Sequence, residues 1–239
     1  MRTWWPEIVG LVLPVACGGC GRPRTELCVE CAATLSADPR RVRPTPEPEG
    51  LPVVHAAAPY ENAVRAMLLA HKERGALGLA GALGGALAAA VRAGAGHPAD
   101  AGALLLVPVP SARRATAARG HDPARRIAAA AAAALRRGGT RARVLAVLRQ
   151  RREVADQAGL GARDRQANLR GALVVADSGR RLFGDGRVVL VDDLLTTGSS
   201  LAEAARAIRA TSRSGDGTEE TLRAAVVAAS PSAFEINRN

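Results

Sequence analysis

The segment Arg187-Val-Val-Leu-Val-Asp192-Asp193-Leu-Leu-Thr196-Thr197-Gly198-Ser199-Ser200-Leu201 reads as three units in succession. An apolar run has the length and content of a strand buried on both faces. Two adjacent acids follow at its carboxyl end, and a hydroxyl-rich loop with one glycine then opens a helix. In open α/β sheets, ligands bind outside the carboxyl ends of the strands. The hydroxyls of Thr196, Thr197, Ser199 and Ser200 meet the free N–H groups of a helix N-terminus there, where the helix dipole favours a phosphate. Gly198 lets the backbone approach a ligand closely. Asp192 and Asp193 would repel a phosphate; they suit ribose hydroxyls and a hard cation such as Mg²⁺. A plain strand–turn–helix capped by Asp and Thr would not need two acids side by side. The chain has no Gly-x-x-x-x-Gly-Lys-Ser/Thr loop, and Gly81–Gly85 lies inside a helical pattern, which makes a poor dinucleotide fingerprint.

Outward from this segment, short apolar runs alternate with helix-like ones. Val53–Ala58, Leu104–Pro108, Val144–Leu148 and Leu222–Ala228 read as strands. Asn62–Arg74, Leu77–Arg92, Pro123–Arg137 and Ser200–Ala210 read as helices, with an Arg-rich loop before Pro123. Ala172–Ala176 and Arg187–Val191 bracket a hairpin-like Asp185-Gly186. The stretch from Arg149 to Arg170 is too polar for core. This alternation predicts an α/β fold with a mostly parallel sheet flanked by helices. No internal repeat is visible, and the run Ala128–Ala134 is simply a strong helix former.

At 239 residues and 24.6 kDa the chain suits one α/β domain with a small appendage, and it is too long for a disulfide-stapled miniprotein. Of its residues 52 are Ala and five aromatic, so the core must pack small side chains on closely spaced helices, with Leu and Val supplying most of the burial. The net charge of +11 comes from 32 Arg and a single lysine, Lys72. High-GC codon usage produces such an excess, and so does a partner rich in phosphate. Between Arg113 and Arg152 stand twelve arginines and one acid, Asp122, which predicts a strongly positive surface.

All four cysteines lie near the N-terminus, as Cys17-Gly-Gly-Cys20 and Cys28-Val-Glu-Cys31. Paired C-x-x-C spacing lets two tight turns aim four thiolates at one tetrahedral Zn²⁺ in a closed structural site. Two disulfides are disfavoured in a cytoplasmic protein, and the pairing argues against four unrelated thiols. Cytoplasmic is the localisation read here. The apolar run Ile8–Ala16 is well short of the roughly 20 residues needed to span a bilayer. Pro6 and Glu7 break an export-signal pattern ending Pro14-Val15-Ala16-Cys17. Trp4 and Trp5 are expected to pack the knuckle. Five prolines between Ser36 and Pro52 mark an extended linker or ordered loop. The expected organisation is a four-cysteine zinc knuckle over 1–35, a Pro-rich linker over 36–52, the larger domain over 53–230 and a C-terminal tail over 231–239.

The run from Val191 through Asp192 and Asp193 to Thr196-Thr197-Gly198-Ser199-Ser200 resembles the ribose-5-phosphate motif of type I phosphoribosyltransferases. With the four-cysteine knuckle in front, the chain resembles the ComF family (ComFC-like, also called amidophosphoribosyltransferase-like). Supporting pieces follow in the family's order: Pro59-Tyr60, Arg65 and Lys72; Val107-Pro108-Val109-Pro110 with Arg119-Gly120; then Gln157, Leu160, Arg165, Asn168 and Gly171-Ala172. The likeness covers about residues 10 to 229. It implies the type I phosphoribosyltransferase fold, with phosphoribosyl pyrophosphate and Mg²⁺ bound at its site. Asp192 and Asp193 would then be the catalytic acids, holding ribose hydroxyls and the Mg²⁺ network. Thr196, Thr197, Gly198, Ser199 and Ser200 would hold the 5-phosphate. The loop Pro110–Arg114 would meet pyrophosphate, with Arg113, Arg114, Arg119 and Lys72 supplying charge. Residues 149–165 would form a loop closing over the site and excluding water. Where the family usually has Arg-Gly-Phe-Asn-Gln, this chain has Arg119-Gly120-His121-Asp122-Pro123, and Val154 stands where a Thr is often found.

Three functions remain open at this level. One is an enzyme of the pentosyl-transferase class, moving a phosphoribosyl group to an unidentified acceptor. A second is a single-stranded DNA-binding factor of DNA uptake in natural transformation, working with other uptake proteins. Its affinity would rest on phosphates and fall steeply with salt, since five aromatics offer few stacking platforms. The third is a ligand sensor that kept the phosphate loop without turnover. His121, alone on a loop, reads either as a general acid or as a capping residue. No membrane span is expected, and a homodimer is compatible with each reading.

Overall fold

The computed structural model describes residues 15–36, 38–95, 102–152, 168–176, 183, 186–211 and 222–238. Six strands form one sheet, in the order β1 (Arg40–Val42), β2 (Val53–Pro59), β8 (Arg223–Ala229), β7 (Arg187–Leu195), β3 (Leu104–Pro108) and β4 (Ala142–Val144). Every neighbouring pair is parallel except β1–β2. The mostly parallel α/β class expected from the alternation is therefore present.

Strand periodicity divides the core in two. Leu104 and Leu106 of β3, with Val189 and Val191 of β7, face α2 (Asn62–Glu73), α3 (Ala80–Ala95) and α5 (Pro123–Arg137). Leu105 and Val107, with Val188 and Leu190, face α6 (Ser199–Arg209) on the other side. From β3 the chain crosses to β4 through α5; from β7 it crosses to β8 through α6, stepping the opposite way along the sheet. Right-handed crossovers in opposite directions place their helices on opposite faces. The carboxyl ends of β3 and β7 therefore flank the crevice at which the strand order reverses.

Small residues set the spacing of the helix layer, as the alanine content predicts. A Cβ at Gly84 of α3 would run into Ala130 and the backbone of Ala131 on α5. Leu77–Ala95 is apolar enough by length and composition to cross a membrane, yet it is built into this layer, with Leu83, Leu87 and Val91 buried.

Three expectations need correction. The Arg-rich loop contains a helix, α4 (Arg113–Arg119), because no glycine or proline interrupts it before Gly120, which ends it in the left-handed region. Val144–Leu148 is not one strand: the chain turns, and β5 (Leu148–Gln150) leaves the main sheet. β5 pairs antiparallel with β6 (Leu173–Val175), so β6 makes no hairpin with β7; burial on both faces recruits β7 to the centre of the parallel sheet instead. Trp4, Trp5, Val154, Gln157, Leu160, Arg165 and Asp185 lie outside the described residues.

The Pro-rich segment is ordered. It supplies β1, and Arg209 Nη1 donates to Gly50 O at 2.7 Å. Pro231–Arg238 forms a 3₁₀ helix whose Ala233 is buried and whose Ala233 carbonyl accepts from Arg43 N at 3.0 Å.

One polar cluster ties the small hairpin to α6. Glu203 is buried; it accepts from Leu173 N at 2.9 Å and from Arg206 Nε and Nη2 at 2.8 Å each, while Arg206 Nη2 also donates to Leu173 O at 2.9 Å. Burial works against the Glu203 charge, but Arg206 and the N–H groups of Leu173 and Gly171 outweigh it and hold the carboxyl below its ordinary value. A depressed carboxyl pKa stabilises the fold above the unfolded value and is lost as pH falls below it. Glu203→Ala should cost about 2 kcal/mol and lower Tm by about 4–8 °C at pH 7. The deficit should shrink as melts are repeated toward pH 4; a difference independent of pH would contradict the charged arrangement.

Candidate functional site

Two features stand out: the acid pair with its hydroxyl loop at the crevice, and the thiol cluster at the N-terminus. β7 carries Asp192 and Asp193 shortly before its carboxyl end at Leu195. Asp193 N donates to Asp192 Oδ1 at 2.8 Å, and Asp193 itself is only 8% exposed. Lys72 Nζ, from the last turn of α2, meets Asp193 Oδ2 at 3.1 Å. The Asp193 carboxylate raises the Lys72 pKa above its ordinary value, against the opposing effect of burial, and Asp192 adds to the rise. Burial pushes the Asp192 carboxyl well above the usual range, and the neighbouring Asp193 charge pushes it further, with Lys72 only partly offsetting both.

After β7 the chain makes the expected loop. Gly198 has φ 77°, the left-handed region where other residues are strained, and a Cβ there would press on Pro48 and Leu51 of the Pro-rich segment. Thr197 Oγ1 and Ser199 Oγ lie 3.0 Å apart. The first N–H groups of α6 have no intrahelical acceptor, so this end of the helix is open to an anion. Across the crevice, Val109 N donates to Val191 O at 2.9 Å, so the loop Pro110–Ala112 leaves the sheet next to Asp192.

Three successive residues of α2 hold three separate elements. Lys72 holds β7 through Asp193. Glu73 Oε1 accepts from Arg119 Nη1 of α4 at 3.2 Å. The His71 ring, fully buried, packs edge-on against His121 with 5.8 Å between centroids. The sequence named Lys72 among the candidate site residues but gave no sign of its partner, 121 positions away. Arg119 is turned toward Glu73, and Arg113 and Arg114 open α4 beyond the Pro110–Ala112 loop. The Asp122-Pro123 departure has a local reason: Asp122 caps α5 by accepting from Arg125 N at 3.2 Å, and Pro123 occupies the first turn.

The four cysteines come together as the spacing predicts. Their sulfurs all lie within 4.8 Å of one another and all four thiols are free. Four thiolates held about 2.3 Å from a tetrahedral Zn²⁺ stand about 3.8 Å apart; Cys20 and Cys28 Sγ are 3.7 Å apart. Burial opposes a thiolate at Cys17, but the N–H groups of Cys20, Cys28 and Gly19 outweigh it and lower its pKa to about 6. Burial, and then the neighbouring thiols, push Cys31 up. The cluster can hold a metal ion such as zinc. It is built into the core rather than hung from it: Cys17, Cys28 and Cys31 are buried, a Cβ at Gly18 would meet Leu79, and one at Gly19 would meet Cys31 Sγ and Ala63 of α2.

No family model matches the chain, and no curated protein matches it. The site therefore rests on its own geometry.

Because the raised Asp192 carboxyl means that its charge is disfavoured in the fold, stability falls as pH rises above the ordinary aspartate range. Asp192→Asn keeps the acceptor for Asp193 N and removes the charge. It should raise Tm at pH 7 by about 2–4 °C, with the gain shrinking toward pH 4. Equal melting of the two proteins at pH 7 would show that the acid pair carries no such strain.

Proposed function

We propose that this chain binds phosphoribosyl pyrophosphate as its Mg²⁺ complex and transfers the phosphoribosyl group to an acceptor, with a structural Zn²⁺ held by Cys17, Cys20, Cys28 and Cys31. The observation that carries the reading is the placement of a strained carboxylate pair beside a hydroxyl-lined helix N-terminus, at the crevice where the strand order reverses.

Each residue takes the role its chemistry allows. The N–H groups and hydroxyls of Thr196, Thr197, Gly198, Ser199 and Ser200 surround the 5-phosphate. Asp192 and Asp193 accept hydrogen bonds from the ribose hydroxyls, and Lys72 pairs with Asp193 and aims it. The loop 110–114 faces pyrophosphate, where Arg113 and Arg114 complement its charge. The strain at Asp192 fits a cationic group arriving with the ligand, since Lys72 neutralises only part of the pair's charge. Asp192 and Asp193 would hold the network around Mg²⁺ arriving with the ligand, and that ion would supply charge screening for the leaving pyrophosphate. In the transfer, the bond from C1 of the ribose to pyrophosphate breaks, pyrophosphate leaves with the electron pair, and a lone pair of the acceptor forms the new bond at C1. A reduced, cytoplasmic setting suits the free thiols.

Calorimetric titration with phosphoribosyl pyrophosphate, with and without Mg²⁺, tests the ligand. Saturable Mg²⁺-dependent heat is expected, weakened at least about tenfold in Asp193→Asn, which corresponds to about 1.4 kcal/mol. The absence of both heat and a thermal shift in folded, metal-loaded protein would sink the proposal. For the metal, elemental analysis should find one zinc per chain, and chelation should lower Tm because the cysteines are part of the core. Zinc-free protein melting at the same temperature would remove the structural role.

A further inference from the structure

His71 and His121 have no role in the crevice as described, yet their rings meet where α2, α4 and α5 come together. His71 is fully buried, and its ring packs edge-on against that of His121, in the turn between α4 and α5, with 5.8 Å between centroids. Each ring spends one nitrogen on a backbone carbonyl: His71 Nδ1 lies 3.3 Å from Ala76 O, and His121 Nδ1 lies 3.1 Å from Arg119 O. A carbonyl oxygen only accepts, so Nδ1 carries the hydrogen in both rings and a neutral ring leaves Nε2 bare. Both Nε2 atoms are buried without a hydrogen-bond partner among the described residues. Cations surround the pair: Arg126 of α5 faces His71, Arg119 ends α4 just before the turn, and Lys72 follows His71 on α2. The acids of the same segments are engaged elsewhere, Glu73 with Arg119 and Asp122 in capping α5, and residues 75–79 bring no ionisable side chain.

We propose that this contact is a proton-sensitive latch: with both rings neutral it holds the α4–α5 turn against α2, and a proton on either ring releases it. The proton must go to Nε2, which makes one ring a cation 5.8 Å from the other in a buried place where no carboxylate pairs with it. Opening the turn exposes both rings to water, where the same proton binds readily. Burial lowers the His71 pKa below its ordinary value, and His121 and Arg126 lower it further, against the opposing effect of the Ala76 and Pro123 carbonyls. A histidine pKa depressed by folding leaves the latch at full strength above the unfolded value of about 6.5, and acid weakens it progressively below that. The turn follows directly on Arg119, whose bond to Glu73 ties α4 to the helix carrying Lys72. Acid therefore loosens α4 from α2 at one side of the crevice, whatever ligand the crevice takes.

Amide hydrogen exchange on the full chain, with α3 as the internal reference, tests the latch. From pH 7.5 to 5.5 the opening equilibrium at residues 119–122 should rise at least about tenfold relative to that of α3, since each excluded proton contributes up to about tenfold per pH unit below about 6.5. The reference removes both global unfolding and the ordinary pH dependence of exchange. His121→Phe keeps a ring against His71 and removes one titratable group. In that variant most of the rise should disappear, and Tm should fall less than the parent's over the same range, by about 3–5 °C. A constant exchange ratio in the parent would overturn the inference, and so would an equal rise in His121→Phe. Proton uptake by His71 near pH 6.5, read from its ring Cε1–H resonance, with unchanged exchange at residues 119–122 would overturn it too. The parent's own ratio is decisive even where the Phe ring packs poorly, and it is read without ligand, so its failure is distinct from failure of the phosphoribosyl reading.

Discussion

A carboxylate at the end of a buried strand must be balanced where it stands, and the Lys72–Asp193 pair does this at 3.1 Å. Parallel strands at the centre of a sheet are apolar on both sides, so β7 carries Asp193 into a region poor in water, with Asp192 half-buried beside it. The cation that answers them comes from α2, near the other end of the fold in sequence. Lys72 is the only lysine in the chain, and its position in the last turn also suits the helix dipole. Once α2 is held there, its neighbours act too: Glu73 takes Arg119 and His71 takes the ring of His121. One helical turn therefore gathers β7, α4 and the loop before α5 around the crevice.

The balance at the acid pair is incomplete, and the deficit has a direction. Lys72 compensates Asp193, while Asp192 remains a charge the fold disfavours. Stability withheld at such a point is available to a ligand that relieves it, which is how sites commonly trade fold energy for binding. The thiol cluster works differently. It packs against α2 and Leu79, so a bound metal would stiffen the same helix that carries Lys72. That connection joins a structural centre to the crevice through contiguous packing alone.

The positive stretch from Arg113 to Arg152 is not one surface with one purpose. Arg119 is spent on Glu73 and Arg136 Nη1 on the Ala142 carbonyl at 2.8 Å, whereas Arg125 and Arg149 face an open cleft. Composition could not distinguish these arginines, because a count of charges carries no information about which acids or carbonyls lie within reach.

Local signals in the sequence were enough for the parallel α/β class, the strand–acid–hydroxyl–helix unit and the four-thiol cluster. Each depends on residues close together in the chain: an apolar run long enough to bury, a glycine where φ must be positive, two C-x-x-C turns. Tertiary structure alone decided that β6 pairs with β5 and not with β7, and that Lys72 answers Asp193. Strand pairing is chosen by which faces can be buried at once, and an ion pair by which charges the crossovers bring within a few ångströms. Neither quantity exists until the sheet order is set, so no window of sequence contains it.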